Sequence, residues 1–438
     1  MAKKNLNALN IVNVINKQTN HVYNTNLPAV SKSNFKDMAK ELRIAPDVVR
    51  NGWHDSLVNL VGLQMAMNKR AFRSYFRELT GREIDTFDVQ LLMMDLLEMK
   101  AYKPDANADD FFEDVKPDIA AQYGHLNFQG QIPVSLNEES LYGAFISESA
   151  FMDYMEMIER TLYSTLEMSD VQLVKELVNQ NIKEGNIRLY PIEKPVDRDT
   201  ALAFTQAVKS TLADMEVEMS RGYNLSGIAT WTPREDDIII SGTDVKATTE
   251  TYSLAWAFNK SFLDLEAEGR AITAKSDAFA GGAVYALAGD KFAFQIHPVV
   301  GFPKVVSQYF GNTLTNKRWL HYWAMYIMSY FNNMIAFVKP SEVGIESATL
   351  ALRSGSDAMN RGEKGQVFVD SITAAENKIA DKFGTYALTG NNSEDTVIDA
   401  ESGKIRIARD ETAANVTVTW TSHLAEGVTA QKTITING

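Results

Sequence analysis

The sequence predicts an α+β chain that closes with a small all-β sandwich, and three observations carry that expectation. Phe151, Met155, Ile158, Leu162 and Leu166 recur at three- and four-residue steps, which sets them on one face of a helix of at least four turns. Asp237 to Ser241 is a short buried strand in the continuous apolar style, and the longer stretch from Lys291 to Lys339 reads as a buried central element. Beyond Pro340 the chain turns rich in Thr, Val, Ser and Gly, with short alternating runs separated by turn-forming residues.

Composition bounds the answer. At 438 residues the chain has room for two or three domains of roughly 100 to 200 residues. It contains no cysteine, which excludes disulfides, thiol nucleophiles and thiolate metal sites. A net charge of -13, with no large basic stripe to offset it, argues against a protein whose main task is gripping nucleic acid. The opening MAKKNLNALNIVNVIN lacks the continuous apolar core of a signal peptide, so the expectation is a soluble protein made in the cytoplasm.

In chain order, residues 1–53 alternate short amphipathic pieces with Asn, Ser, Thr and Pro, and Ser33 to Leu42 reads as a short capped helix. No hydrophobic cluster here is large enough to stand alone, so an arm that packs on something else is expected. Asp55 to Lys69 looks helical. Ala71 to Leu136 is a long, charge-rich excursion that Pro104, Pro117 and Pro133 keep from forming one helix. After the periodic helix, Ser169 with Gln172 reads as a capping box that opens a second helix ending near Gly185. A helix from about Thr200 to Met219 precedes the strand at Asp237, and a helical run follows from Tyr252 to Leu265. Gly281 to Leu287 and Phe292 to Ile296 read as strands joined by a tight Ala-Gly-Asp-Lys turn. Within the central stretch, the only formal charge from Arg318 to Val338 is Arg318 itself, and Trp319, Tyr322, Trp323, Tyr326, Tyr330 and Phe331 crowd together. Asn332, Asn333 and Ser329 make it too polar for a bilayer span. The closing strands are expected at Ala348 to Leu352, Gln366 to Ile372, Lys404 to Ala408, Asn415 to Trp420 and Thr429 to Ile436.

Catalytic signatures do not assemble. The six histidines, His21, His54, His125, His297, His321 and His423, have no spacing that sets two ligands on one helical face, and structural roles are expected for all. Gly281-Gly282 lacks the Lys-Ser/Thr of a phosphate loop, and RSGSD at Arg353 to Asp357 has the wrong spacing for a nucleophile elbow. Asp109-Asp110 and Asp236-Asp237 could bind a divalent cation, but solvated loop carboxylates are the stronger reading. Arg70, Arg73, Arg77 and Arg82 could meet an acidic neighbour or packaged nucleic acid; a solvated arm with Glu78, Glu83 and Asp85 as local partners is as strong a reading. No catalytic, cofactor-binding or metal residue is predicted, no cofactor is implied, and the chain is not expected to be an enzyme.

An arm, a charged excursion, a spine helix, a mixed α/β region and an apolar return make a shell subunit outline. Ser147 to Val178 is similar to the spine helix of the major capsid proteins of small short-tailed phages of Gram-positive bacteria, the Picovirinae type. The order of Asp236 to Leu265, then GDKFAFQIHP, then NKRWLHYWAMYIMSYFNNMIAFV resembles that family throughout, whereas residues 1–53 match it poorly. Asn415 to Ile436, with Trp420 as core aromatic, resembles the closing strands of a BIG2 immunoglobulin-like domain. The resemblance implies an HK97-type capsid core over residues 55–340, with an N-terminal arm at 1–54 and a BIG2 domain at 345–438. Within the core it implies an E-loop at about 71–136, a spine helix at about 147–184, an A-domain at about 195–289 and a P-domain return at 290–340. It implies a tailed-phage head protein that self-assembles through pentamers and hexamers, with a scaffolding protein, a portal and double-stranded DNA as partners, and no membrane. Location in the virion after assembly in the host cytoplasm follows. The aromatic return would pack under the spine helix through Phe151, Met155, Ile158 and Leu162. An encapsulin-like compartment shell and a phage tail or surface adhesin are the competing readings.

Overall fold

A computed structural model of the chain describes residues 8–53, 56, 72, 74–85, 87–97, 118–137, 143, 145, 147–254, 271–310, 315–425 and 427–437. The helices are α1 (Ala8–Tyr23), α2 (Met38–Ile44), α3 (Glu148–Lys183), α4 (Arg198–Val217) and α5 (Thr243–Leu254), with a further helical segment at residues 47–53.

The spine, α3, starts where the Ser147 hydroxyl accepts the Ala150 amide at 3.1 Å and runs unbroken for 36 residues, roughly 54 Å at 1.5 Å per residue. The capping box expected at Ser169 does not form. The Ser169 hydroxyl instead donates to the Thr165 carbonyl at 2.8 Å, as Thr165 does to Thr161 and Thr161 to Met157, so these side chains satisfy themselves on the previous turn. The buried face continues from Ile158, Leu162 and Leu166 into Val171, Val174, Val178 and Ile182. Gly185 ends the helix at φ 73°, which favours glycine, and a Cβ there would lie a tight 3.1 Å from the Ala380 carbonyl oxygen.

The aromatic return is two strands in two sheets. Thr315–Met328 forms β10, which pairs antiparallel with β3 (Phe128–Asn137) along one edge and with β9 (Lys304–Phe310) and then β8 (Phe294–Pro298) along the other. Leu320, Tyr322, Ala324, Tyr326 and Met328 share the large core with α3, while Met325 and Ile327 alternate onto the opposite face with Ile84 and Val299. Both faces are covered, which is why the run is apolar without alternation. Met334–Val338 forms β11, fully buried in a five-stranded sheet of order β4-β11-β7-β5-β6, with β4 Arg188–Pro191, β5 Asp237–Gly242, β6 Ala271–Ala274 and β7 Val284–Asp290. Ile238 and Ile240 face the α3 side, whereas Ile239, Tyr285 and Phe337 pack with Phe204, Val208 and Met215 of α4.

Three further expectations need correction. The Ala-Gly-Asp-Lys segment is not a hairpin turn: β7 runs through Asp290 in one sheet, and the chain then crosses to β8 in the other. Asp290 makes that crossing, accepting the Phe292 amide and the Asn332 side-chain amide, both at 2.8 Å. The helical run after β5 begins earlier than expected, at Thr243, and the rest of the expected stretch lies outside the described residues, as does the expected helix over 55–69 apart from residue 56. Phe151 does not meet β10; it anchors a separate cluster with Ile11, Val12, Ile15, Phe35 and Trp53, while the Met155 side chain lies outside the described residues. The N-terminal segment thus packs on the start of the spine, with the Trp53 indole donating to the side-chain oxygen Oδ1 of the buried Asn16 at 2.8 Å.

Residues 345–437 fold as two facing four-stranded sheets around one core that holds Val367, Val418, Ile434 and Trp420. Four of the five expected strands lie within β12 (Ile345–Leu352), β14 (Lys364–Ala374), β18 (Asn415–Ser422) and β19 (Thr429–Asn437), and the fifth is shorter than expected, β17 (Lys404–Arg406) ending before Ile407 and Ala408. Short strands β13 (Ala358–Asn360) and β16 (Val397–Ile398) and the longer β15 (Gly384–Thr389) complete the sheets. No described helix is long and apolar enough to cross a membrane.

Candidate assembly site

Of the histidines that sequence singled out, His125, His297 and His423 have side-chain partners. His297 is buried, with Nδ1 2.8 Å from the Arg82 carbonyl oxygen and Nε2 2.8 Å from Gln295 Oε1; the exposed His125 meets Asp88 at 2.6 Å. Asp236 pairs with Lys291 at 2.5 Å, and Asp237 is buried. Arg70, Arg73, His54 and Asp109-Asp110 lie outside the described residues. Among the described residues no group of three or more His, Asp or Glu side chains is placed to hold a metal ion.

What stands out instead is a surface. β1 (Asp88–Met94) and β2 (Ile119–His125) form an isolated antiparallel ribbon in which Leu92 opposes Ala121 and Met94 opposes Ile119. Its inner face sits on β10. Gly124 lies so close that a Cβ would be 2.8 Å from Ile327 Cδ1, and Gln122 brackets the end of β10 by donating to the Met328 carbonyl at 2.7 Å and accepting the Tyr330 amide at 2.9 Å. On the outer face and just beyond it, Leu92, Met94, Leu96, Leu97, Ile119 and Tyr123 are 55 to 65% exposed. Six exposed apolar side chains gathered on and beside one ribbon make a candidate interaction surface, since isolated exposed apolar residues are ordinary and contiguous ones are not.

The far end of the ribbon is locked by charge. Lys404 of the C-terminal sandwich reaches Asp95 at 2.5 Å and Asp118 at 2.6 Å, and Arg221 reaches Asp95 at 3.2 Å and Asp399 at 2.8 Å. Asp95 is buried and also accepts the Ala229 amide at 3.0 Å. Burial alone would raise the Asp95 carboxyl, but the Lys404 hydrogen bond and the backbone amides outweigh it and hold the group below the usual carboxylate range. The ribbon, the 218–232 loop and the C-terminal sandwich therefore meet at one buried carboxylate. Sequence reasoning missed this set because Asp95 and Lys404 are 309 positions apart and neither carries a local signature.

A second polar seam runs between α3 and β10. The Tyr326 hydroxyl donates to Asp170, and burial pushes the Asp170 carboxyl up to about 6 against the lowering effect of that bond. Further along, burial pushes Glu159 up to about 7, with Arg318 opposing, and brings the Arg318 guanidinium down to about 10, with Glu159 opposing. A carboxyl raised from its unfolded value of 3.8 to about 6 contributes stability at low pH that is lost as pH rises between those values. Asp170→Asn should therefore leave thermal stability near pH 4 unchanged and raise it above pH 6, by on the order of 2 kcal/mol. Equal shifts at both pH values would count against a titrating Asp170.

Compared with known proteins, the chain matches the Phi29-like phage major capsid protein family over residues 12–338. The chain belongs to that family. This Phi29-like major capsid protein is accordingly a structural shell subunit of the virion and not an enzyme. It is 21% identical over 404 residues to the major capsid protein of Bacillus phage B103, covering 92% of this chain and 87% of the relative. To that of Bacillus phage PZA it is 24% identical over 376 residues, covering 84% and 80%. The capsid structure of Staphylococcus phage Andhra aligns at a TM-score of 0.49 and 14% identity, over 61% of this chain and 85% of that one. The family match begins at residue 12, so its span includes α2 and most of α1. It stops at residue 338, before the C-terminal sandwich.

Proposed function

We propose that this capsid protein builds the closed head of a tailed phage, icosahedral or prolate, around double-stranded DNA. The observation that carries this reading is the apolar outer face of the β1–β2 ribbon, which sits on β10 and has no cover among the described residues. A neighbouring subunit is the natural cover, because a shell brings copies together through large interfaces. In this reading residues 55–340 are an HK97-type core. The excursion at about 71–136 is the E-loop, with the ribbon as its stem. Residues 147–184 are the spine, 195–289 the A-domain and 290–340 the P-domain return, with 1–54 as the arm. Residues 345–438 are a BIG2-type domain on the outside. A scaffolding protein and a portal direct assembly in the host cytoplasm, and DNA is held without sequence specificity. The net charge of -13 suits this, because an inner wall that is not strongly basic contains a polyanion without gripping it.

The test is expression of the full chain, with a scaffolding protein supplied, followed by sedimentation and electron microscopy. Closed particles built from pentamers and hexamers are expected. Only monomers and small oligomers would overturn the proposal, and particles filled with an enzyme and free of nucleic acid would redirect it to a compartment shell.

A further inference from the structure

We propose that the free edge of β9 pairs antiparallel with the same strand of a second copy, across a two-fold axis at Ser307. This inference rests on the shell reading above, which supplies the second copy. β9 runs in unshifted register beside β10 for seven residue pairs, from Lys304 opposite His321 to Phe310 opposite Thr315. Among the described residues its other edge has no strand beside it, and none of its backbone groups bonds outside β10. A row of unpaired amides and carbonyls on a regular strand is a template for another strand.

The usual protections of an edge are missing here. The opposite edge of the same sheet, β3, carries Pro133, which has no amide to donate, and exposes Gln129, Gln131 and Ser135. On β9, Pro303 and Lys304 guard only the entry, and the consecutive Val305 and Val306, which point to opposite faces, are 37% and 40% exposed. Charge also selects this strand for self-pairing. The chain is 23% charged and carries a net charge of -13, yet Lys304 is the sole formal charge from Val299 to Asn316. Two copies can approach here without the repulsion they meet elsewhere. A register centred on Ser307 sets Lys304 opposite Phe310, Val305 opposite Tyr309 and Val306 opposite Gln308, so no like charges face each other. The pairing is isologous, as a two-fold contact requires.

Because the chain has no cysteine, one introduced thiol reports on one contact. In the paired strands the two Ser307 Cα atoms lie about 4.5 to 5.5 Å apart, within disulfide reach, whereas the two Lys304 positions lie roughly 20 Å apart. Ser307→Cys and Lys304→Cys would each be assembled as the full chain, oxidised mildly and run on a non-reducing gel. The expected result is a dimer band as the main species for Ser307→Cys and monomer for Lys304→Cys. Monomer from Ser307→Cys particles, or equal dimer from both, overturns the pairing and leaves the shell reading standing. If the unsubstituted chain forms no particles, the shell reading fails and the pairing falls with it.

Discussion

Tyr326→Asp is expected to abolish particle formation by unfolding the subunit. Tyr326 is buried in the core between α3 and β10, its ring 5.9 Å from that of Phe128 in an edge-on arrangement, and its hydroxyl bonds to Asp170. Truncating a buried aromatic costs about 3 to 5 kcal/mol. The new carboxylate would also sit beside Asp170, in a site where burial already pushes that carboxyl up to about 6, so a second negative charge has no compensation. Together these losses consume most of the roughly 5 to 15 kcal/mol by which a folded protein is stable. Soluble yield, circular dichroism and electron microscopy would report it. Tyr326→Phe keeps the ring and loses one hydrogen bond, about 1 to 2 kcal/mol, and should still assemble. Wild-type particle yield from Tyr326→Asp would show that the tyrosine is misplaced.

Asp381→Ala should loosen the C-terminal sandwich from the rest of the subunit. Asp381 is fully buried at their junction: Oδ2 accepts the Leu189 amide at 2.6 Å and His423 Nε2 at 2.8 Å, and Oδ1 accepts the Phe383 amide at 3.2 Å. Leu189 belongs to β4, an outer strand of the five-stranded sheet, so one carboxylate ties that sheet to the sandwich. The neighbouring Lys382 amide donates to the Gly185 carbonyl at 3.0 Å, at the end of the spine. Removing the carboxylate leaves three donors without an acceptor, and each buried one costs about 1 to 3 kcal/mol. A loss of about 2 to 4 kcal/mol in denaturant titration is expected, with the sandwich melting as a separate transition. Asp381→Asn, which keeps one acceptor oxygen, should fall between. An unchanged single transition in Asp381→Ala would show that the junction is held elsewhere.

Much of the architecture was legible in the sequence because it is written locally. The three- and four-residue steps from Phe151 to Leu166 mark the spine, and the all-buried Asp237 strand and the alternating strands after Pro340 report their own burial. The failures share one cause, which is that a local pattern does not name its partner. Ser169 has the side chain of a helix cap, but its hydroxyl is satisfied by the preceding turn once the apolar face continues past it. The strands on either side of Asp290 look like a hairpin, yet each finds its partners in a different sheet. Phe151 is in phase with Ile158 and Leu162, but the helix is long enough that its first turn meets the N-terminal helices and its later turns meet β10.

The sequence by itself determined that this chain has a spine helix, a buried aromatic return and a closing β sandwich, because helix and strand periods and continuous apolar runs are properties of neighbouring residues. Only the tertiary structure decided that the return is β10 and β11 in two sheets, that Asp95 gathers Lys404 and Arg221, and which face of the β1–β2 ribbon stays open. Those are contacts between residues up to 309 positions apart, set by which surfaces remain to be covered once the local elements have formed.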